Sequence, residues 1–146
     1  MNIIDRKIEV KLTNTNNANR AERQRIVIIE DESVVALCLE LQLASHFKLA
    51  FFKQAEEAFN YILENVVAVD LIITDHMLPG MSGMQLTSII KRDPTLRHLP
   101  VILQSAENES CLAAYNIKPD FYLQKPCLKE QMEDAIRKAL GLRNKV

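Results

Sequence analysis

Five short apolar runs recur along this chain, each followed by a stretch long enough to form a helix, and that alternation leaves few folds open. Ile26-Val27-Ile28-Ile29 is unbroken and β-branched, the pattern of a strand buried on both faces. Leu49 to Phe52, Leu71-Ile72-Ile73-Thr74, Val101-Ile102-Leu103-Gln104 and Phe121-Tyr122-Leu123-Gln124 supply the other strands. Between the first two runs, Val34, Leu37, Cys38, Leu41 and Ala44 fall at helical spacing and predict an amphipathic helix from Ser33 to about His46. Ala55, Ala58, Phe59, Ile62 and Leu63 repeat that spacing, as do Leu86, Ile89 and Ile90 before Asp93-Pro94 stops the helix. Ser110 to Tyr115 reads as a short helix, and Lys129 to Leu142 as the last, with Met132, Ala135, Ile136, Ala139 and Leu140 facing inward. Strand and helix in strict alternation imply a parallel sheet covered on both faces, because a right-handed crossover between parallel strands needs a helix-length connection. The expected class is therefore α/β.

Residues 1–24 break the pattern. Asn2, Asn14, Asn16, Asn17 and Asn19 crowd a polar stretch, read as an N-terminal extension ahead of one domain spanning 25–142, with a tail over 143–146. Within the extension Ile8, Val10 and Leu12 alternate with Glu9 and Lys11, which allows one extra strand there. Eighteen basic residues against nineteen acidic ones leave a net charge of −1, so no global field draws nucleic acid or an anionic membrane. No apolar run reaches the ~20 residues of a spanning helix, and no secretory pattern opens the chain, so a cytoplasmic protein is expected. Cys38, Cys111 and Cys127 are odd in number and widely spaced, and read as reduced, buried packing thiols.

In an open α/β sheet the ligand site lies beyond the carboxyl ends of the strands. Those ends carry Glu30-Asp31 after the first strand, Asp75 after the third, Ser105 after the fourth and Lys125 after the fifth. Each alone is unremarked surface chemistry: a strand-end carboxylate is commonly a cap or a solvated charge, and a lysine commonly a surface charge. Together they place carboxylates, a hydroxyl and an ammonium on one rim. Carboxylates so crowded repel one another unless a cation intervenes, and Mg²⁺, with its preference for hard oxygen ligands, suits them. A phosphoryl group fits the remaining chemistry, with Asp75 as nucleophile, Lys125 balancing charge and Ser105 donating a hydrogen bond.

The segments that carry these residues resemble the receiver domains of two-component response regulators. The resemblance rests on Ile28-Ile29-Glu30-Asp31-Glu32, on Asp70 to Asp75 continuing through His76-Met77-Leu78-Pro79-Gly80-Met81-Ser82-Gly83, on Pro100 to Ala106, and on Tyr122-Leu123-Gln124-Lys125-Pro126. It implies a flavodoxin-like doubly wound sheet of five strands in the order 2-1-3-4-5, and a stand-alone response regulator. It also implies that Asp75 accepts a phosphoryl group from a sensor histidine kinase or histidine phosphotransfer protein. Asp31, Asp75 and the backbone carbonyl of Met77 would bind Mg²⁺, or Mn²⁺ in its place, with Glu30 acting through water. Ser105 would turn toward the phosphoryl oxygens and Tyr122 would follow it inward, while Lys125-Pro126 would be a cis peptide. Output would pass to a downstream protein rather than directly to nucleic acid or into a membrane.

Several positions depart from the family pattern. Glu30 stands where Asp is more common, Cys127 replaces a common Phe, and the stretch between Ser105 and Lys125 is about two residues short, with Lys118-Pro119 in place of Gly-Ala, which implies a short or displaced fourth helix. An aspartate-nucleophile phosphohydrolase would carry a second Asp where this chain has Met77, which cannot move a proton, so turnover of a separate substrate is not expected. A phosphorylation-independent docking domain is the alternative. His46 and His98 read as structural, and His76 either tunes the aspartyl phosphate or lies exposed in its loop.

Overall fold

A computed structural model describes residues 23–143. The extra strand expected around Ile8, Val10 and Leu12 lies outside the described residues, as do 144–146 of the tail. The strands are β1 (Arg25–Ile29), β2 (Lys48–Phe52), β3 (Leu71–Asp75), β4 (Val101–Ser105) and β5 (Phe121–Gln124). The helices are α1 (Ser33–Leu43), α2 (Ala55–Glu64), α3 (Gly83–Arg92) and α4 (Lys129–Arg143), with one 3-10 helix at Glu109–Ala114. Every strand pair is parallel and the order is β2-β1-β3-β4-β5, the flavodoxin-like doubly wound arrangement.

Alternate residues of each strand feed opposite layers, because successive side chains point to opposite faces. Ile26, Ile28, Leu71, Ile73 and Ile102 pack with Leu39 and Leu43 of α1 and with Met132, Ala135, Ile136 and Ala139 of α4. Val27, Ile29, Ile72 and Val101 pack on the other face with Ala55, Ala58 and Ile62 of α2 and with Leu86 and Ile90 of α3. Each fully buried isoleucine is worth about 1.5–3 kcal/mol relative to exposure, so the two layers hold the sheet's rim rigid beneath the site.

Two expectations are corrected. The face of α1 marked by Val34, Leu37, Cys38 and Leu41 is the solvent face: Val34 and Leu41 are 74% and 78% exposed, while Leu39 and Leu43 are buried. The helix is apolar nearly all round, so its pattern carries little contrast, and the sheet takes the side where two leucines stack four residues apart. The cysteines are free but not buried: Cys38 is exposed, and Cys111 and Cys127 are partly so.

The short fourth helix is a six-residue 3-10 helix. Asn108 caps it, its side chain accepting from the Ser110 N–H at 3.1 Å, and Tyr115 closes it with an N–H to the Leu112 carbonyl at 3.0 Å. A strut closes the opposite end of the sheet: Lys91 Nζ lies 2.7 Å from Asp120 Oδ2, and the same carboxylate oxygen accepts the Val101 N–H at 2.7 Å. Among the described residues no helix is long and apolar enough to cross a membrane.

Candidate functional site

The carboxyl ends of β1, β3, β4 and β5 meet on one rim. The ladder continues one residue past β1, where the Glu30 N–H donates to the Phe52 carbonyl at 2.9 Å, leaving Glu30 buried and Asp31 exposed. Asp75 closes β3 and is only 7% exposed. Past β5, the Lys125 N–H donates to the Ser105 carbonyl at 2.7 Å, and the Lys125-Pro126 peptide is cis. This brings Lys125 Nζ to 2.9 Å from Glu30 Oε2 and 3.1 Å from Asp75 Oδ2.

Burial pushes the Glu30 carboxyl above the ordinary carboxylate range, and the nearby Asp75 charge adds to the rise against the pull of Lys125 and of the Glu32 N–H. For Lys125, burial favours loss of the proton, but the two carboxylates outweigh it and hold the ammonium above its usual range. The lysine is therefore a fixed positive charge at any physiological pH.

Carboxylate oxygens of Glu30, Asp31 and Asp75 lie within 4.8 Å of one another, the group among the described residues able to hold a metal ion. Hard oxygen donors, one of them exposed to entering ions, fit Mg²⁺. The structure also gives Glu30 a lysine partner, so it serves the ammonium as well as the acidic cluster.

The loop after Asp75 is held shut from three sides. Its backbone closes through the Gly83 N–H to the His76 carbonyl at 2.9 Å. Glu56, at the start of α2, accepts the Met81 N–H at 2.7 Å, beside Gly80, whose φ of 76° is easy only for glycine. Ser82 and Gln85 form a reciprocal capping box at the start of α3. Gly83 approaches so closely that a Cβ there would lie 2.2 Å from the Asp75 carbonyl oxygen. Met77, on this loop, is exposed.

Ser105 is buried, its hydroxyl accepting the Glu107 N–H at 3.1 Å. Tyr122 is half-buried and its hydroxyl donates to the Glu107 carbonyl. Burial raises the Tyr122 hydroxyl above its usual range, with the Ser105 hydroxyl pulling it back. Glu30, Asp31, Asp75 and Lys125 thus form one group, while Ser105 and Tyr122 meet at Glu107.

Two residues beyond the predicted set matter. Glu56 pins the loop across 25 residues of sequence, with no local signal to reveal it; the capping box, by contrast, was readable as Ser82 followed three residues on by Gln85. His76 is not exposed: the residue is 9% accessible and its ring stands edge-on to Tyr115, with centroids 6.4 Å apart.

The sequence model of the response regulator receiver domain matches residues 26–137. The chain belongs to the response regulator receiver family. As a receiver domain it belongs to two-component signalling, where such domains act as switches and use Mg²⁺ in phosphorylation. It is 37% identical to the two-component response regulator ARR17 of Arabidopsis thaliana over 49% of this chain and 48% of that one. It is 30% identical to the phosphate regulon transcriptional regulatory protein PhoB of Escherichia coli over 78% of this chain and 50% of that one. The chain thus spans about half the length of these relatives. Among solved structures, a receiver domain protein from Clostridium thermocellum is 25% identical with a TM-score of 0.73, covering 83% of this chain and 97% of its own. The signal receiver domain of an HD domain-containing protein from Pseudomonas fluorescens is also 25% identical, with a TM-score of 0.76, covering 85% and 99%.

Proposed function

We propose that this receiver accepts a phosphoryl group on Asp75 from the phosphohistidine of a sensor kinase or histidine phosphotransfer protein, and that the charge so added switches binding of a downstream protein. The observation that carries the reading is Lys125 Nζ, held 3.1 Å from Asp75 and 2.9 Å from Glu30, beside the acidic cluster that Asp31 completes. In the transfer a carboxylate oxygen of Asp75 forms the new O–P bond as the N–P bond to the donor imidazole breaks, and the imidazole keeps the electron pair and takes up a proton. Lys125 offsets the charge on the phosphoryl oxygens, and Ser105 turns its hydroxyl toward them. Mg²⁺, or Mn²⁺ in its place, when held by Asp31, Asp75, the Met77 carbonyl and Glu30 through water, supplies further charge neutralisation at those oxygens.

The switching unit is 25–142, flanked by the extension 1–24 and the tail 143–146. It works in the cytoplasm, catalyses its own phosphorylation and dephosphorylation, and turns over no separate substrate. Ser105 and Tyr122 carry the response: when Ser105 leaves Glu107, the Tyr122 hydroxyl loses its neighbour there and moves inward. The signal then leaves by protein contact rather than direct binding to nucleic acid.

Incubation with a small phosphodonor and Mg²⁺ is expected to add one phosphoryl group by intact-mass spectrometry, and Asp75→Asn to add none. The shortened segment between Ser105 and Lys125, folded as a six-residue 3-10 helix, favours a second reading as a docking domain indifferent to phosphate. That reading gains if the folded wild type takes up no phosphate under the same conditions.

A further inference from the structure

The segment after β4 is tied down at both ends, and the two ties lead to opposite sides of Asp75. At its start, Glu107 is held by the Ser105 hydroxyl, 3.1 Å from the Glu107 N–H, and by the Tyr122 hydroxyl on the Glu107 carbonyl. At its end, Tyr115 rests edge-on against His76, with ring planes at 89°. Asp75 and His76 are consecutive, so their side chains leave the chain on opposite faces: Asp75 into the acidic cluster, His76 toward the 3-10 helix.

The His76 backbone has no freedom to follow its ring. Its N–H donates to the Gln104 carbonyl at 2.8 Å and its carbonyl accepts from the Gly83 N–H at 2.9 Å. The residue is nine-tenths buried and its Nδ1 fully so, yet Nδ1 has no hydrogen-bond partner among the described residues. A buried ring nitrogen without a partner costs the folded state, and an imidazole nitrogen can donate or accept according to tautomer. An edge-on aromatic contact with centroids 6.4 Å apart lies near the loose limit for such pairs and yields readily to a better arrangement. Tyr115 in turn lines a groove of about 580 Å³ on α3, with Gly80, Met81, Gln85, Ser88, Ile89 and Arg92.

We propose that His76 is the positioning residue that passes the state of Asp75 to Tyr115, and so to the groove on α3. The inference rests on phosphorylation of Asp75 as proposed above. When Ser105 turns to the phosphoryl group, the front tie of the 3-10 helix is released. The helix then pivots on its rear contact, His76 Nδ1 gains a polar partner in the shifted segment, and Tyr115 moves relative to the groove. A six-residue segment held at two points can transmit this without a longer helix.

The test uses the full chain labelled with fluorotyrosine, whose three resonances, from Tyr61, Tyr115 and Tyr122, are assigned by Tyr→Phe substitution. Beryllofluoride with Mg²⁺ is added, and the fluorine signal of bound beryllofluoride reports occupancy of Asp75 in the same spectrum. In the wild type the Tyr115 resonance is expected to move. His76→Phe, which keeps an aromatic ring but no polar nitrogen, should bind beryllofluoride and lose most of that displacement, while Tyr122 still responds. His76→Gln, which restores a polar group, should recover part of it, and His76→Leu replaces the phenylalanine variant if that one does not fold. Bound beryllofluoride with an unmoved Tyr115 in the wild type overturns this inference alone, as does a full Tyr115 response in His76→Phe. Failure of the folded wild type to bind beryllofluoride overturns the phosphorylation reading and this inference with it.

Discussion

Asp75, Glu30 and Lys125 illustrate why a strand end in a parallel sheet is a better place for chemistry than a loop. None of them needs a special turn to reach the others; the register of β1, β3 and β4 and the backbone bond from Lys125 to Ser105 already bring them together. That is also why these residues were readable beforehand: the topology of alternating elements is enough to converge strand ends. Glu56 shows the opposite case. It is a solvated glutamate at the start of α2, and only the fold brings Met81 to it. The Met81 N–H holds the Glu56 carboxyl below its ordinary value of 4.5. A carboxyl depressed in the folded state contributes stability above its ordinary value and loses it as pH falls through the lowered one. Glu56→Gln should therefore flatten the acid limb of the stability curve below about pH 4.5 and leave the slope near neutrality unchanged. Denaturant titrations at a series of pH values check this, and equal acid limbs for both proteins would contradict it. The burial of His76, against the exposed alternative of its sequence reading, was hidden for a related reason: a turn histidine is ordinarily solvated, and the ring it packs against, Tyr115, is distant in sequence.

Among the elements, α4 and α1 form an instructive pair. Met132, Ala135, Ile136, Ala139 and Leu140 of α4 are all buried as their spacing predicts, because charged residues on its outer side mark the face. On α1 that contrast is missing: its eleven residues include a single charged side chain, Glu40, and the buried face is chosen by fit to the sheet. The assignment is testable by substitution. Leu39→Ala should cost about 2–5 kcal/mol, as expected for a buried leucine. Leu41→Ala, on the solvent face, should stay within about 0.5 kcal/mol. Urea unfolding of the two variants measures both, and equal costs would mean that α1 packs by another face. The 3-10 helix was foreseen as a shortened element from the missing residues before Lys125; its type follows from having too few residues to propagate α-helical bonding.

At the scale of the whole molecule, local patterns could establish that the sheet is parallel but not the order of its strands. Strand order is a property of which crossovers go which way, and that came from the family resemblance, which the observed order matches. The order matters because it sets β1 beside β3, and so Asp31 beside Asp75. A metal bound between two elements of the sheet stabilises the entire fold by mass action, by about 2.7 kcal/mol when the free ion is at 100 times its dissociation constant. Mg²⁺ should thus raise the thermal midpoint of the wild type in a concentration-dependent way, at constant ionic strength, and Asp31→Asn should remove most of the rise. A rise of equal size in the variant would place the ion elsewhere.

The chemistry at Asp75 is tested most directly by locating the modified atom. An aspartyl phosphate is reduced by borohydride to homoserine, which marks the acceptor residue permanently for peptide mapping by mass spectrometry. After treatment with a small phosphodonor and Mg²⁺, homoserine is predicted at position 75 and at no other aspartate, with the signal lost when Mg²⁺ is chelated. Homoserine at position 31, or none anywhere in a folded protein that binds Mg²⁺, would contradict the account.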